Sequence, residues 1–336
     1  MTRAVFLTGA TGFVGGHLAA SFAGDGWRVH ALARDGADAG VLGALEKLGV
    51  RLHRGDLRDA RAVAASVARV ASDEKLPAIV HCAAVISYRT RDAELQRQVN
   101  VDGTRNVLHA CRRAPVGRLL HVSSVVAVGY SRAPGELLDE DAAFNGADLG
   151  VDYVATKRVA EELVFASGLD AVAVNPGAIF GPGGAGANTL RFLRQVAHGK
   201  FTLFAPPGSI SPVGVEDVVR GTRLALERGC AGRRYLLVES ARPLVECFEI
   251  AARELGVPPG RARAPRWLWS AVRAGTGLVD RVRPLDLLTP QAVRMLGLHF
   301  VYDASRARRE LGWTPEPFER VLARTIAWAR VEGRLD

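Results

Sequence analysis

Thr8-Gly9-Ala10-Thr11-Gly12-Phe13-Val14-Gly15 follows the apolar run Ala4-Val5-Phe6-Leu7 and opens a helix-length segment that reaches about Ala23. This junction decides the fold. Gly9 permits a tight turn, Gly12 lets the backbone come close to a pyrophosphate, and Gly15 allows the helix to pack against the strand. The helix start, with Thr11, Phe13 and Val14 around it, offers unpaired N–H groups and partial positive charge to an anion. Glycines between a strand and a helix are common, so the triplet alone is weak. Its strand–turn–helix context turns it into a dinucleotide-binding expectation.

Outward from the turn, short apolar runs alternate with helix-length segments. Strands are expected at Arg28–Ala33, Arg51–Arg54, Ala78–Cys82, Leu119–Ser123 and Ala171–Asn175. Helices are expected at Arg58–Val70, Asp92–Arg113 and Asp152–Ser167. Successive βα units cross over right-handed, so the fold class is α/β, a doubly wound Rossmann-type parallel sheet. After Asn175-Pro176-Gly177 the pattern changes. A loop at Gly181–Gly186, a turn at Pro206–Ser209 and a returning strand at Tyr235–Glu239 are followed by helices joined at Pro258-Pro259 and Pro284. We expect a dinucleotide domain over 1–176, rejoined by 213–240. A smaller, mostly helical substrate lobe is expected from 177–212 and 241–336.

The 336 residues are 48% hydrophobic and 24% charged, the balance of a globular protein rather than a disordered chain. No run is long and apolar enough for a membrane span, and the N-terminus lacks the pattern of a signal peptide, so a soluble cytoplasmic protein is expected. The net charge of +9 is scattered and has no aromatic-basic motif beside it, which argues against a nucleic-acid partner. Cys82, Cys111, Cys230 and Cys247 form no CxxC pair, and the eight histidines form no HExxH, so neither a metal site nor a disulfide framework is expected. There is no GxSxG elbow.

The end of the second strand sets cofactor choice. An acidic residue there suits the ribose 2′-hydroxyl of NAD, and Arg suits a 2′-phosphate. Arg34 occupies that place, followed by Asp35, so the reading favours NADP(H), with NAD(H) the alternative. Asp56, before Leu57, either accepts from the adenine amino group or caps the next helix. Tyr153 and Lys157 stand one helical turn apart, in a chain where only four of 44 basic residues are lysines. An adjacent ammonium is expected to make the phenol acidic enough to exchange a proton with a substrate oxygen. Ser124, at the carboxyl edge of the fifth strand, can hydrogen-bond the reacting carbonyl. Asn100 is an unfavourable residue inside a helix, which suggests a polar task.

Taken together these residues resemble the extended short-chain dehydrogenase/reductase family. The resemblance also covers His81-Cys82-Ala83-Ala84, Asn100–Thr104, Val215-Glu216-Asp217-Val218 and the tail Tyr302–Ser305 with Leu311–Pro315. It implies that Ser124, Tyr153 and Lys157 are catalytic. It also implies that Gly9, Thr11, Gly12, Phe13, Val14, Gly15, Arg34, Asp56, Leu57, Ala83, Asn100, Tyr153, Lys157 and Pro176 meet the cofactor. Val125-Val126 follow Ser124 where sugar-nucleotide dehydratases carry Asp-Glu. Ile210–Gly214 lacks the arginine with which many epimerases grip a sugar nucleotide. Both departures argue against dehydration and a sugar-nucleotide substrate, while Val85-Ile86-Ser87-Tyr88, the position of Arg34 and the apolar tail look closer to the dihydroflavonol-reductase and 3β-hydroxysteroid-dehydrogenase group.

The resulting expectation is a reductase that moves hydride between NADP(H) and a ketone or secondary alcohol of a small, hydrophobic or amphipathic substrate. A nucleotide-sugar epimerase with tightly held NAD and a non-catalytic NADP-binding sensor are the alternatives. Residues 265–283 form an apolar stripe flanked by arginines, read as a lobe helix over the substrate cleft or as a weak membrane-surface contact. The resemblance further implies a homodimer formed through the helices Asp92–Arg113 and Asp152–Ser167.

Overall fold

A computed structural model of the chain describes residues 3–133, 135–184, 188–199, 204–258, 262–282, 285 and 288–335. Its first half runs β1 (Ala4–Thr8), α1 (Phe13–Gly24), β2 (Arg28–Ala33), α2 (Ala39–Lys47), β3 (Arg51–Arg54), α3 (Ala60–Asp73) and β4 (Ala78–His81). Then come α4 (Ala93–Gln96), α5 (Gly103–Arg113), β5 (Leu119–Val122), α6 (Asp152–Phe165) and β6 (Ala171–Pro176). Beyond lie β7 (Ala178–Phe180), α7 (Asn188–Ala197), β8 (Phe204–Ala205), β9 (Ser209–Ile210), β10 (Pro212–Gly214), α8 (Val215–Arg228) and β11 (Arg234–Leu237). The chain closes with β12 (Arg242–Pro243), α9 (Leu244–Leu255), β13 (Ala262–Arg263), α10 (Arg266–Val282), α11 (Pro290–Leu296) and α12 (Phe318–Val331).

The main sheet has the order β11-β6-β5-β4-β1-β2-β3, and every pairing in it is parallel. Strand order reverses between β1 and β4, and ligands of open α/β sheets bind in the crevice at such a point. Alternate side chains feed two cores. Val5, Leu7, Val80, Leu120 and Val172 pack with Leu18 and Phe22 of α1 and Val218 of α8. Phe6, Ile79, Leu119 and Ala171 pack with Val63 and Val67 of α3, Val107 of α5 and Val164 of α6. A third core joins Phe180, Leu193, Leu244, Phe248, Phe318 and Leu322 among the C-terminal helices.

The expected strands are present within a residue or two, and α2 is an addition. Its two glycines weaken helical propensity, but Asp38 caps it by accepting from Val41 N at 2.9 Å. The expected helix Asp92–Arg113 is not continuous: a 3-10 turn (Thr90–Asp92), α4 and a π-turn (Arg97–Asp102) precede α5. The π-turn turns Asn100 inward, and such insertions mark functional sites more often than chance. Pro259, Pro284 and the Ala185-Gly186 end of the expected loop lie outside the described residues. Among the described residues no helix is long and apolar enough to cross a membrane.

Candidate active site

The turn after β1 is bare because nothing larger fits. Gly9 sits at φ +80°, and a Cβ there would lie 2.7 Å from Ala83 N. A Cβ on Gly15 would lie 2.0 Å from Gly9 O, so α1 reaches the turn only because position 15 has no side chain. Gly12 is the N-cap of α1. No side chain caps that helix, and its first turn holds no acidic residue, leaving the N–H groups of the Phe13–Val14 turn to an incoming anion. Thr11 lies in the turn itself. This cradle of bare backbone fits a dinucleotide diphosphate.

Arg34 is exposed immediately beyond β2. Asp56, beyond β3, accepts from Arg58 N at 2.9 Å and from the Arg58 guanidinium at 3.0 and 2.8 Å. That pairing, with Arg34 nearby, keeps its carboxyl below the usual carboxylate range. Asp56 is not the helix cap that one sequence reading allowed. Asp59 caps α3, accepting from Arg61 N and Ala62 N, because the Asp56–Arg58 turn delays the helix start to Ala60. Leu57 is buried below, and its carbonyl accepts from Asn106 Nδ2 at 2.9 Å.

Asn100 accepts from Val85 N at 2.7 Å and donates to Val85 O and Thr156 Oγ1 at 3.0 and 3.1 Å. Its side chain therefore ties the loop after β4 to α6 instead of presenting free donors to a ligand. Ala83 N in that loop donates to Thr8 Oγ1 at 3.3 Å. Pro176 ends β6, buried beside β11.

Ser124, Tyr153 and Lys157 converge at the carboxyl end of β5. Ser124 accepts from Val126 N at 3.4 Å, and Ser123 Oγ, its neighbour, is buried without a partner. Lys157 Nζ donates to Val122 O at 2.9 Å. Burial lowers its ammonium to about 8, against the opposing pull of Cys82 and Glu161. The phenol departs from expectation. Burial raises Tyr153 above the ordinary tyrosine range, and the hydrogen bond that opposes this comes from Ser124. The ammonium is turned to the Val122 carbonyl, so desolvation outweighs any acidifying field. Tyr153 is a protonated phenol at neutral pH.

Sequence reasoning missed three supports of this site. Tyr88 sets its ring edge-on against Tyr153, with centroids 6.1 Å apart and planes at 84°. Glu161, one turn beyond Lys157, is buried against Asn175 Nδ2 at 2.5 Å and Arg234. Gln291 of α11 reaches Asp152 at the start of α6. Glu161 alone left a trace, a carboxylate on the helix face that carries Lys157. The other two depend on contacts remote in sequence. Among the described residues no group of three or more His, Cys, Asp or Glu is placed to hold a metal ion.

Residues 5–237 match the profile of the NAD dependent epimerase/dehydratase family. The chain is 32% identical to sterol demethylase protein B of Methylococcus capsulatus over 98% of its own length and 99% of that protein. It is 31% identical to a 3 beta-hydroxysteroid dehydrogenase/Delta 5-->4-isomerase of Mycobacterium tuberculosis, covering 93% of this chain and 86% of that one. The crystal structure of gox2253 superposes with a TM-score of 0.85 at 28% identity, over the whole of both chains.

Proposed function

The chain belongs to the NAD dependent epimerase/dehydratase family and is an NAD(P)-dependent oxidoreductase of the extended short-chain type. From that premise we propose that it reduces a ketone of a hydrophobic or amphipathic substrate with NADPH. The carrying observation is the meeting of Ser124, Tyr153 and a buried Lys157 beside the glycine turn, with the phenol held protonated. The dinucleotide, when bound, supplies the hydride. Tyr153 Oη gives its proton to the substrate oxygen, and Ser124 Oγ orients that oxygen. Lys157, fixed on Val122 O, would hold the ribose of the dinucleotide with its remaining ammonium protons.

Gly9, Thr11, Gly12, Phe13, Val14 and Gly15 would hold the diphosphate. Arg34 would take a 2′-phosphate and Asp56 the adenine edge, with Leu57, Ala83 and Pro176 as walls and Asn100 fixing the wall at Val85. The sterol and steroid named for two relatives support an apolar substrate. A ketone panel followed by nicotinamide absorbance with NADPH and NADH tests the reading. Tyr153→Phe is expected to abolish turnover and leave NADPH binding nearly intact, and Arg34→Ala to weaken NADPH but not NADH. Purified protein that releases stoichiometric NAD and reduces no ketone would favour the epimerase instead.

A homodimer in the cytoplasm is part of the reading, and exposed Leu95 and Val159 on the two expected interface helices support it. Sedimentation at monomer mass would count against it. We read α10 as a lobe helix that packs on α11 through its Trp269 face and offers its other face to a weak lipid contact. Trp267, Ala271, Ala274 and Leu278 share its outward face, with Trp267 72% and Leu278 65% exposed. Trp269, Val272 and Thr276 lie on the other. The helix sequence holds three arginines against one aspartate, so the surface it suits is an anionic bilayer. Failure to co-sediment with phosphatidylglycerol vesicles at low salt would refute the contact.

A further inference from the structure

The catalytic helix α6 begins without a cap of its own: its N-cap is Val151, which has no side-chain acceptor. Its start is instead held from the far end of the chain. Gln291 Oε1 accepts from Asp152 N at 3.0 Å while Gln291 Nε2 donates to Asp152 Oδ2 at 2.6 Å. Arg294, one turn on, donates to Leu149 O and Gly150 O at 2.9 and 3.0 Å. Thr289, two residues before Gln291, donates to Tyr88 O at 2.5 Å while capping α11 through Ala292 N at 3.1 Å. The Tyr88 ring in turn stands edge-on to Tyr153. Thr289 and Gln291 are 2% and 6% exposed. Buried polar groups retained on so short a helix, all satisfied by the catalytic helix and its neighbouring loop, form a specific connection rather than solvated surface.

We propose that α11 is a bracket that orients the proton donor, with Gln291 as a positioning residue for Tyr153 and Thr289 as a positioning residue for Tyr88. Tyr153 is the residue directly after Asp152, so the two Gln291 hydrogen bonds fix the first turn of α6 and with it the direction of the phenol. Thr289 sets the second ring that confines the phenol from the side of the C-terminal lobe. The inference rests on the reductase reading, because a bracket matters only if Tyr153 is the acid.

The test is a reciprocal exchange. Gln291→Glu places a carboxylate against the Asp152 carboxylate and removes the donor. Adding Asp152→Asn restores complementarity, because the Asn amide can donate to the new carboxylate while Asp152's backbone N–H keeps its acceptor. With an active ketone substrate, Q291E is expected to lower kcat on the order of tenfold or more, as small misplacements of reacting groups do. The KM for NADPH is expected to stay unchanged, and the double variant to recover most of kcat. Amide hydrogen exchange over residues 150–156 is expected to quicken in Q291E and return in the double variant, whatever the turnover.

Unchanged exchange in Q291E would overturn the bracket. Exchange that changes and recovers without any change in kcat would show that the bracket does not position Tyr153. If the wild type reduces no ketone, the reductase reading falls and the positioning role with it, while the exchange pattern still reports the α11 contact. The two failures are therefore separable.

Discussion

Lys157→Met is expected to make the protein inactive and more stable. The lysine is 2% exposed, and burial lowers its ammonium from 10.5 to about 8. A tenfold change in proton affinity is worth about 1.4 kcal/mol, so the charged lysine costs the folded chain about 3 kcal/mol. Against this stands its hydrogen bond to Val122 O, which contributes about 1 kcal/mol net. Methionine keeps the apolar stem and drops the charge, so a gain of about 2 kcal/mol is expected at pH 7.

The gain must depend on pH in a defined direction. Between about 8 and 10.5 the unfolded chain holds the proton and the folded chain does not, so wild-type stability rises with pH across that window. The advantage of K157M is therefore largest below pH 8, falls by about 1.4 kcal/mol per pH unit above it, and vanishes at about pH 9.5. Urea unfolding of both proteins without cofactor, from pH 7 to 10, reads the difference directly, and other titrating groups cancel in it. A K157M protein that is less stable at pH 7, or a difference that does not change with pH, would refute the assigned burial cost. Stability gained by removing an active-site group is the mark of a residue kept for chemistry.

Gly15→Ala brings a methyl to 2.0 Å from Gly9 O, where overpacking costs about 1–3 kcal/mol. Titrating NADPH fluorescence is expected to show weakening of about tenfold or more, whereas Gly24→Ala, with open space around it, should bind normally. Trp313→Ala removes a fully buried side chain whose Nε1 donates to Asp217 O at 2.9 Å. Chemical denaturation is expected to show a loss of about 3–5 kcal/mol, with kcat/KM unchanged where the variant remains folded.

The dinucleotide half was legible in the sequence because its signals are local. Hydrophobic period separates strand from helix within a few residues. The turn at Gly9, Gly12 and Gly15 needs small residues at fixed spacing, and Tyr153 and Lys157 share a helix face by arithmetic alone. The π-turn at Arg97–Asp102 had no such signature, since helical period persists through it and only Asn100 marked the place. The acidity of Tyr153 was beyond sequence because it is a balance between desolvation and charge. Spacing fixes neither how deeply the ring is buried nor where the ammonium points, and the structure turns Lys157 to Val122 O. Gln291 and Asp152 are separated by 139 positions, and nothing in either neighbourhood announces the other. Local stereochemistry determined which elements form and where the reactive groups sit along them. Only the tertiary structure decided which groups are desolvated, as Lys157 is where α6 lies against β5, and which hydrogen bonds from α11 hold the start of the catalytic helix, because desolvation and long-range hydrogen bonds are properties of surroundings.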